Sequence, residues 1–146
     1  MRVSELCEND FERVYNMFHK VFDRTKWEQD FHVAWSTRIQ EASIGAYSED
    51  GSLLAYAIVT QKEDQTQTPY WFLEFLAVDP DAQGNGLGST LLRILLEKNK
   101  RIALVPLNNE PLINWYKRHG FVVVSKKEDK WGDPELLMST IQTCKL

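Results

Sequence analysis

The stretch LAVDPDAQGNGLGSTLLRILLE, residues 76–97, runs from an apolar segment through a turn and into an amphipathic helix. Three glycines, Gly84, Gly86 and Gly88, occupy alternate positions of the turn. Leu87, Leu91, Leu92, Leu95 and Leu96 then recur at helical spacing. The chain therefore passes from a strand through glycines to a helix N-terminus. This is a general anion site, because the first amides of a helix have no acceptor within it and its dipole is positive at that end. Immediately upstream, YWFLEFLAV (70–78) reads as a strand apolar on both faces, and so a central one.

Working outward, RVSEL (2–6) reads as a short strand. Phe11, Val14, Tyr15, Phe18, Val21 and Phe22 mark one helix face, with Asn9 or Asp10 as N-cap. A break around Asp23–Lys26 precedes a second helix from about Gln29 to Ile39. Two β-like runs in SIGAYSEDGSLLAYAIVTQ (43–61) meet at Asp50-Gly51, a hairpin signal. Downstream, RIALVPL (101–107) is a strand and EPLINWYKRHG (110–120) a helix, with Pro111 in its first turn and Gly120 at its C-terminus. FVVVS and ELLMSTI close the chain as two antiparallel strands across the loop holding WGDP. The order β-α-α-β-β-β-α-β-α-β-β describes a mixed α/β layer structure, and 146 residues suit a single domain over 1–146.

Hydrophobic residues make up 43% and the formal net charge is −4, which fits a globular chain and argues against nucleic-acid binding. Between Lys62 and Arg93 there is no basic residue, while Glu63, Asp64, Glu74, Asp79 and Asp81 fall in that window. Such a surface attracts cations. No apolar run approaches the ~18 residues of a membrane span, and no apolar leader stretch opens the chain. Cys7 and Cys144 have neither metal-ligand nor redox spacing and are expected as free thiols. These features predict a cytoplasmic protein without a metal site or membrane contact.

Two familiar phosphate loops fit the glycines poorly. A P-loop would follow Gly88 with lysine, and the dinucleotide fingerprint spaces its glycines G-x-G-x-x-G, whereas here they read G-x-G-x-G. The segment instead resembles the acyl-CoA loop of the GNAT-type N-acetyltransferases, Gln/Arg-x-x-Gly-x-Gly/Ala after Val-x-Pro and before a Leu-rich helix. Val78, Pro80, Gln83, Gly86 and Gly88 match it. A second family segment, an Asn, a Tyr seven residues on and then Gly-Phe, is matched by Asn109, Tyr116 and Gly120-Phe121.

The resemblance implies a mixed, mostly antiparallel twisted sheet flanked by helices, and acetyl transfer from acetyl-CoA to an amine. It implies a coenzyme A site at Leu76, Ala77, Val78, Gln83, Gly84, Asn85, Gly86, Leu87, Gly88 and Ser89, with Asn109 and Tyr116. Pyrophosphate oxygens accept several short hydrogen bonds, so the backbone must approach within about 3 Å. No Lys or Arg lies in the loop, and Gln83 replaces the commoner arginine, so the main-chain amides must do most of the holding. Asn109 is expected to bond the pantetheine arm, to cap the last helix, or both.

A free alkylamine has a pKa near 10.4, so deprotonating it at pH 7 represents roughly 4–5 kcal/mol that a carboxylate can help supply. Glu74 matches a glutamate that many family members carry on this strand, and alternation places it with Leu76 and Val78. Glu28 is the rival, in TKWEQDF (25–31), the connection that walls the acceptor site in this family. Trp27 could hold an ammonium there, with Asp23 and Asp30 adding negative charge. Tyr116 matches the tyrosine that protonates the leaving thiolate; packing of the last helix is its alternative role. His19, His32 and His119 read as isolated, His119 favouring the end of the last helix.

The acidic acceptor segment favours a small cationic amine, a polyamine of the spermidine or putrescine type as in one branch of the family. A protein lysine, as in a histone tail, or an aminoglycoside is the alternative. A non-catalytic acyl-CoA sensor is the alternative of another class. The final hairpin offers an edge for a homodimer. Gly86→Val or Gly88→Val is expected to abolish acetyl-CoA binding in a folded chain, measured by titration calorimetry; unchanged affinity would refute the loop assignment.

Overall fold

The computed structural model describes residues 1–22, 24–140 and 146, with only the backbone of Arg24 and Thr25. Asp23 and Cys144 thus lie outside the described residues. The helices are α1 (Phe11–Val21), α2 (Arg24–Thr37), α3 (Leu87–Lys98) and α4 (Glu110–Arg118). The strands are β1 (Arg2–Glu5), β2 (Ile44–Tyr47), β3 (Leu53–Glu63), β4 (Pro69–Val78), β5 (Ile102–Leu104), β6 (Val122–Glu128) and β7 (Pro134–Ser139). The element order is the one the sequence implies, and the strands pair in the order β1-β2-β3-β4-β5-β7-β6. The β4–β5 pair is parallel, whereas β1–β2, β2–β3, β5–β7 and β6–β7 are antiparallel.

Two elements differ from expectation in extent. α2 begins at Arg24, not near Gln29, so Trp27 and Glu28 belong to a helix and not to a connection. The reason is local: residues 24–37 contain no glycine or proline, and Trp27, Phe31, Ala34 and Trp35 already form a helical stripe. β5 keeps only Ile102–Leu104 of the apolar run, which Pro106 limits by lacking an N–H.

The chain forms two compact units, one of Met1–Thr60 with Glu74–Lys98 and one of Gln61–Leu73 with Asn99–Leu146. In the first, β2 and β3 form the expected hairpin, with Gly51 at φ +87° in its turn. The core is aromatic. Phe18 of α1 stacks on Phe31 of α2 with centroids 4.5 Å apart, and Phe75 of β4 meets Phe18 edge-on at 5.6 Å. Ala77 shares this core, so β4 turns Phe75 and Ala77 into it while Glu74, Leu76 and Val78 lie half-buried on the other face. The strand is central in pairing order but buried on one face only. α3 buries Leu87, Leu91, Leu92 and Leu95.

The start of α1 is fixed by Asp10, which is buried and accepts from the Cys7 N–H at 2.8 Å and from Arg13 at 2.6 Å. Burial opposes its ionisation, but the Cys7, Tyr47 and Arg13 contacts outweigh that and hold the carboxyl below its ordinary range.

In the second unit, β5 lies between the first half of β4, in register Trp71↔Ile102, and β7, in register Leu104↔Met138. The β6–β7 hairpin runs from Val122↔Ser139 to Glu128↔Pro134. β6 is the edge strand and is exposed except at Val124; Lys127 reaches Glu135 across the pair at 3.9 Å. Asn109 caps α4 by accepting from the Leu112 N–H at 3.0 Å. Among the described residues, no helix is long and apolar enough to cross a membrane.

Phe31 is fully buried against the rings of Phe11, Tyr15, Phe18, His32 and Phe75 in its own unit. Phe31→Ala should lower unfolding free energy by about 3–5 kcal/mol, read from urea denaturation; a loss under 1 kcal/mol would contradict this core.

Candidate active site

The glycine turn is built in three steps. Asp79 ends β4; its side chain accepts from the Asp81 N–H at 2.9 Å, and its carbonyl takes the Ala82 N–H at 2.8 Å, winding one 3₁₀ turn over Pro80–Ala82. The Asn85 amide then donates to the Ala82 carbonyl at 3.2 Å. Finally the Gly86 carbonyl accepts both the N–H and the hydroxyl of Thr90, at 2.9 and 3.0 Å, which sets the first turn of α3.

Gly84 and Gly86 sit at φ +90° and +73°, where a side chain is strained, and a Cβ on either would meet no protein atom within 4 Å. The turn therefore needs glycine for its backbone path, while the space beside it stays open. Among the described residues, the N–H groups of Gly84, Asn85, Gly86, Leu87 and Gly88 make no hydrogen bond to the protein. These amides and the positive end of α3 form a cradle for a polyanion such as a diphosphate. Ala77 and Leu87 have buried side chains and so offer a ligand only their main chain. Gln83 is exposed, with its amide 3.4 Å from the Val78 carbonyl, and Ser89 is half-buried in the first turn of α3.

The two carboxylates stand in different surroundings. Glu74, half-buried on β4, accepts from the Thr60 hydroxyl at 2.9 Å. Glu28, in the second turn of α2, accepts through Oε1 from the Tyr15 hydroxyl of α1. Its other oxygen, Oε2, is buried without a hydrogen bond and lies 3.8 Å from His19 Nε2, itself buried without one. His19 is thus not isolated: its ring meets Tyr15 edge-on at 4.1 Å. Tyr15 and His19 stand one turn apart on α1, a spacing visible in the sequence; their meeting with Glu28 depends on how α1 packs on α2. Thr60 carried no sequence signal.

Trp27 is half-buried, edge-on to Phe22 at 6.4 Å, with Lys26 Nζ 5.2 Å from its ring centroid. Asp30 is exposed on α2.

In the second unit, Tyr116 is buried and packs edge-on against Trp115 at 5.0 Å and Phe121 at 5.7 Å. Burial pushes its phenol pKa upward, so it stays a proton donor at neutral pH. Asn109 uses its side-chain oxygen in the cap of α4. The His119 ring bonds the Trp115 carbonyl at 2.9 Å, at the end of α4 where the sequence placed it.

Residues 8–121 match the acetyltransferase (GNAT) family. Solved structures with the same fold include Chaetomium thermophilum Naa20 in complex with a bisubstrate analogue, at 15% identity and a TM-score of 0.75, covering 95% of this chain and 85% of that one. Arabidopsis thaliana Naa50 in complex with the bisubstrate analogue CoA-Ac-MVNAL aligns at 18% identity and TM-score 0.72, covering 94% and 96%. The Escherichia coli ribosomal-protein-S18-alanine N-acetyltransferase aligns at 20% and 0.73, covering 99% and 97%. No curated protein matches the chain. With most of its length matched and a bare amide turn at the head of α3, the chain belongs to the GNAT family and is an acetyl-CoA-dependent N-acyltransferase.

Proposed function

We propose that this acetyltransferase, acting as a single functional domain in the cytoplasm, moves the acetyl group of acetyl-CoA onto a small cationic amine of the polyamine type. The donor half of this reading rests on the five unpartnered amides of Gly84 to Gly88, which suit the diphosphate of coenzyme A. Leu76, Ala77 and Val78 would line the path of the pantetheine arm. The amide nitrogen of Asn109 would serve that arm while its oxygen caps α4. Tyr116, kept protonated by burial, would supply the proton that the departing thiolate needs.

The acceptor half rests on one observation above the others: a carboxylate oxygen of Glu28 is buried without a hydrogen-bond donor. A buried acceptor left unmet costs about 1–3 kcal/mol, and an ammonium is a donor that satisfies charge and hydrogen bond together. Trp27 and Asp30 of α2, and Asp23 in the sequence just before it, would support the same cation, and the basic-free window 63–92 would draw it in.

A second reading, transfer to a protein amine, is favoured by names among the structural neighbours. One is an S18-alanine N-acetyltransferase, and another holds coenzyme A linked to the peptide MVNAL. A panel of spermidine, putrescine, a basic peptide, an alanine-terminated peptide and an aminoglycoside, assayed by thiol release from acetyl-CoA, separates the readings. The expected result is a kcat/KM for spermidine at least tenfold above that for either peptide. A preference for the alanine-terminated peptide would transfer the assignment to protein N-termini, and turnover of none would defeat both.

Glu74 and Glu28 remain the two bases to compare. Each carboxylate accepts from one hydroxyl, Glu74 from Thr60 and Glu28 from Tyr15, and the second oxygen of Glu28 is left without a donor. Glu28→Gln is therefore expected to reduce kcat at saturating amine by tenfold or more, and Glu74→Gln by less. A fall below tenfold in both variants would remove both from the reaction.

A further inference from the structure

The cluster at the α1–α2 contact holds more than one unmet group. His19 Nε2 and Glu28 Oε2 each lack a hydrogen bond, each is shielded from solvent, and they face one another at 3.8 Å. A single N–H···O bridge between these two atoms would satisfy both. The other end of the carboxylate is fixed by the Tyr15 hydroxyl, and the imidazole is fixed edge-on by the Tyr15 ring. One tyrosine thus sets the positions of both partners.

We infer that His19 and Glu28 form one shared proton site, positioned by Tyr15, which receives the proton that the acceptor ammonium must lose. The inference rests on the proposed reaction for its role, but the site itself is independent of it. A lone glutamate near 4.3 lies about six pKa units below an alkylammonium near 10.4, and an imidazole near 6.5 closes about two of them. In the step, an N–H bond of the ammonium breaks and its electron pair stays on nitrogen. The proton bonds to a Glu28 oxygen; that O–H bond then breaks as the His19 Nε2–H bond forms. The result is a free amine, an imidazolium and an ionised carboxylate bridged by one hydrogen bond. Glu28 is two-fifths exposed through its side chain and His19 to 24%, so Glu28 is the member that would meet the acceptor and His19 acts through it as a positioning residue.

The titratable and charged groups around His19 are few among the described residues. From α1 come Tyr15 and Lys20, the latter drawn 3.3 Å from Asp79. From α2 come Glu28 and His32, whose ring lies 5.4 Å from that of Tyr15. Lys26 lies over Trp27. Among these, Glu28 is the charged group nearest to His19.

The test is a pH titration of the His19 ring resonances by NMR on the whole chain, with Glu28→Gln and Glu28→Asp variants whose folding is checked by thermal melting. Losing the carboxylate should change the His19 midpoint in a folded chain, while Glu28→Asp, which retains charge, should change it less. A His19 midpoint unchanged in a folded Glu28→Gln variant would overturn the shared site, whatever the acceptor proves to be. In kinetics, kcat/KM for the best amine should fall as pH drops through the wild-type midpoint. His19→Phe, which keeps the ring packing, should lower kcat tenfold or more at pH 7.5 and remove that acid limb. An acid limb unmoved in His19→Phe would also overturn the inference, and it is distinguishable from a failed amine panel because that panel leaves the NMR midpoint untouched.

Discussion

A helix beginning on glycines cannot complete its own hydrogen bonding, and most of the first unit is arranged around that deficit. The N–H groups of Gly84 to Gly88 find no acceptor among the described residues, so the turn must be held by bonds that spend none of them. Asp79 winds the approach, Thr90 takes the Gly86 carbonyl, and the leucines of α3 anchor the helix from its far side. Every stabilising contact uses carbonyls, side chains or apolar surface. The amides are kept in reserve for a ligand with oxygen to offer, which is the basis of the coenzyme A site proposed above.

The same reserve recurs at the α1–α2 contact with the opposite polarity, in a carboxylate oxygen without a donor among the described residues. One oxygen of Glu28 is met by the Tyr15 hydroxyl, as one of Glu74 is by Thr60, but Glu28 Oε2 is not met. An unmet acceptor beside aromatic rings attracts positive charge more strongly than one already bonded, because its desolvation is not yet compensated. The aromatic core of Phe18, Phe31 and Phe75 makes this tolerable by fixing both helices.

The sequence was most legible where one periodicity ruled a long segment. α3, the β2–β3 hairpin and the capped α4 were readable from leucine spacing, Asp50-Gly51, and Pro111 with Gly120. The start of α2 was not: Asp23 to Lys26 looks like a polar break, and only the stripe through Trp27, Phe31 and Ala34 shows that the helix already runs from Arg24. The glycine turn could be read because its chemistry is local to six residues. The Tyr15–His19–Glu28 cluster could not, because Tyr15 also fits the apolar face of α1, and its contact with Glu28 exists only once two helices have packed. Thr60 lies fourteen residues from Glu74, joined to it by a bond that no spacing rule predicts.

β6 carries a consequence for how copies of this chain meet. An unpaired strand edge ordinarily invites another strand, but Lys126 and Lys127 stand in the middle of this one, with Lys127 reaching only as far as Glu135. Any molecule docking along it would have to strip water from two ammonium groups before gaining a single main-chain bond. The outermost strand therefore acts as its own guard against sticking, and crowding in a concentrated solution is resisted at the very border where backbone groups stand open.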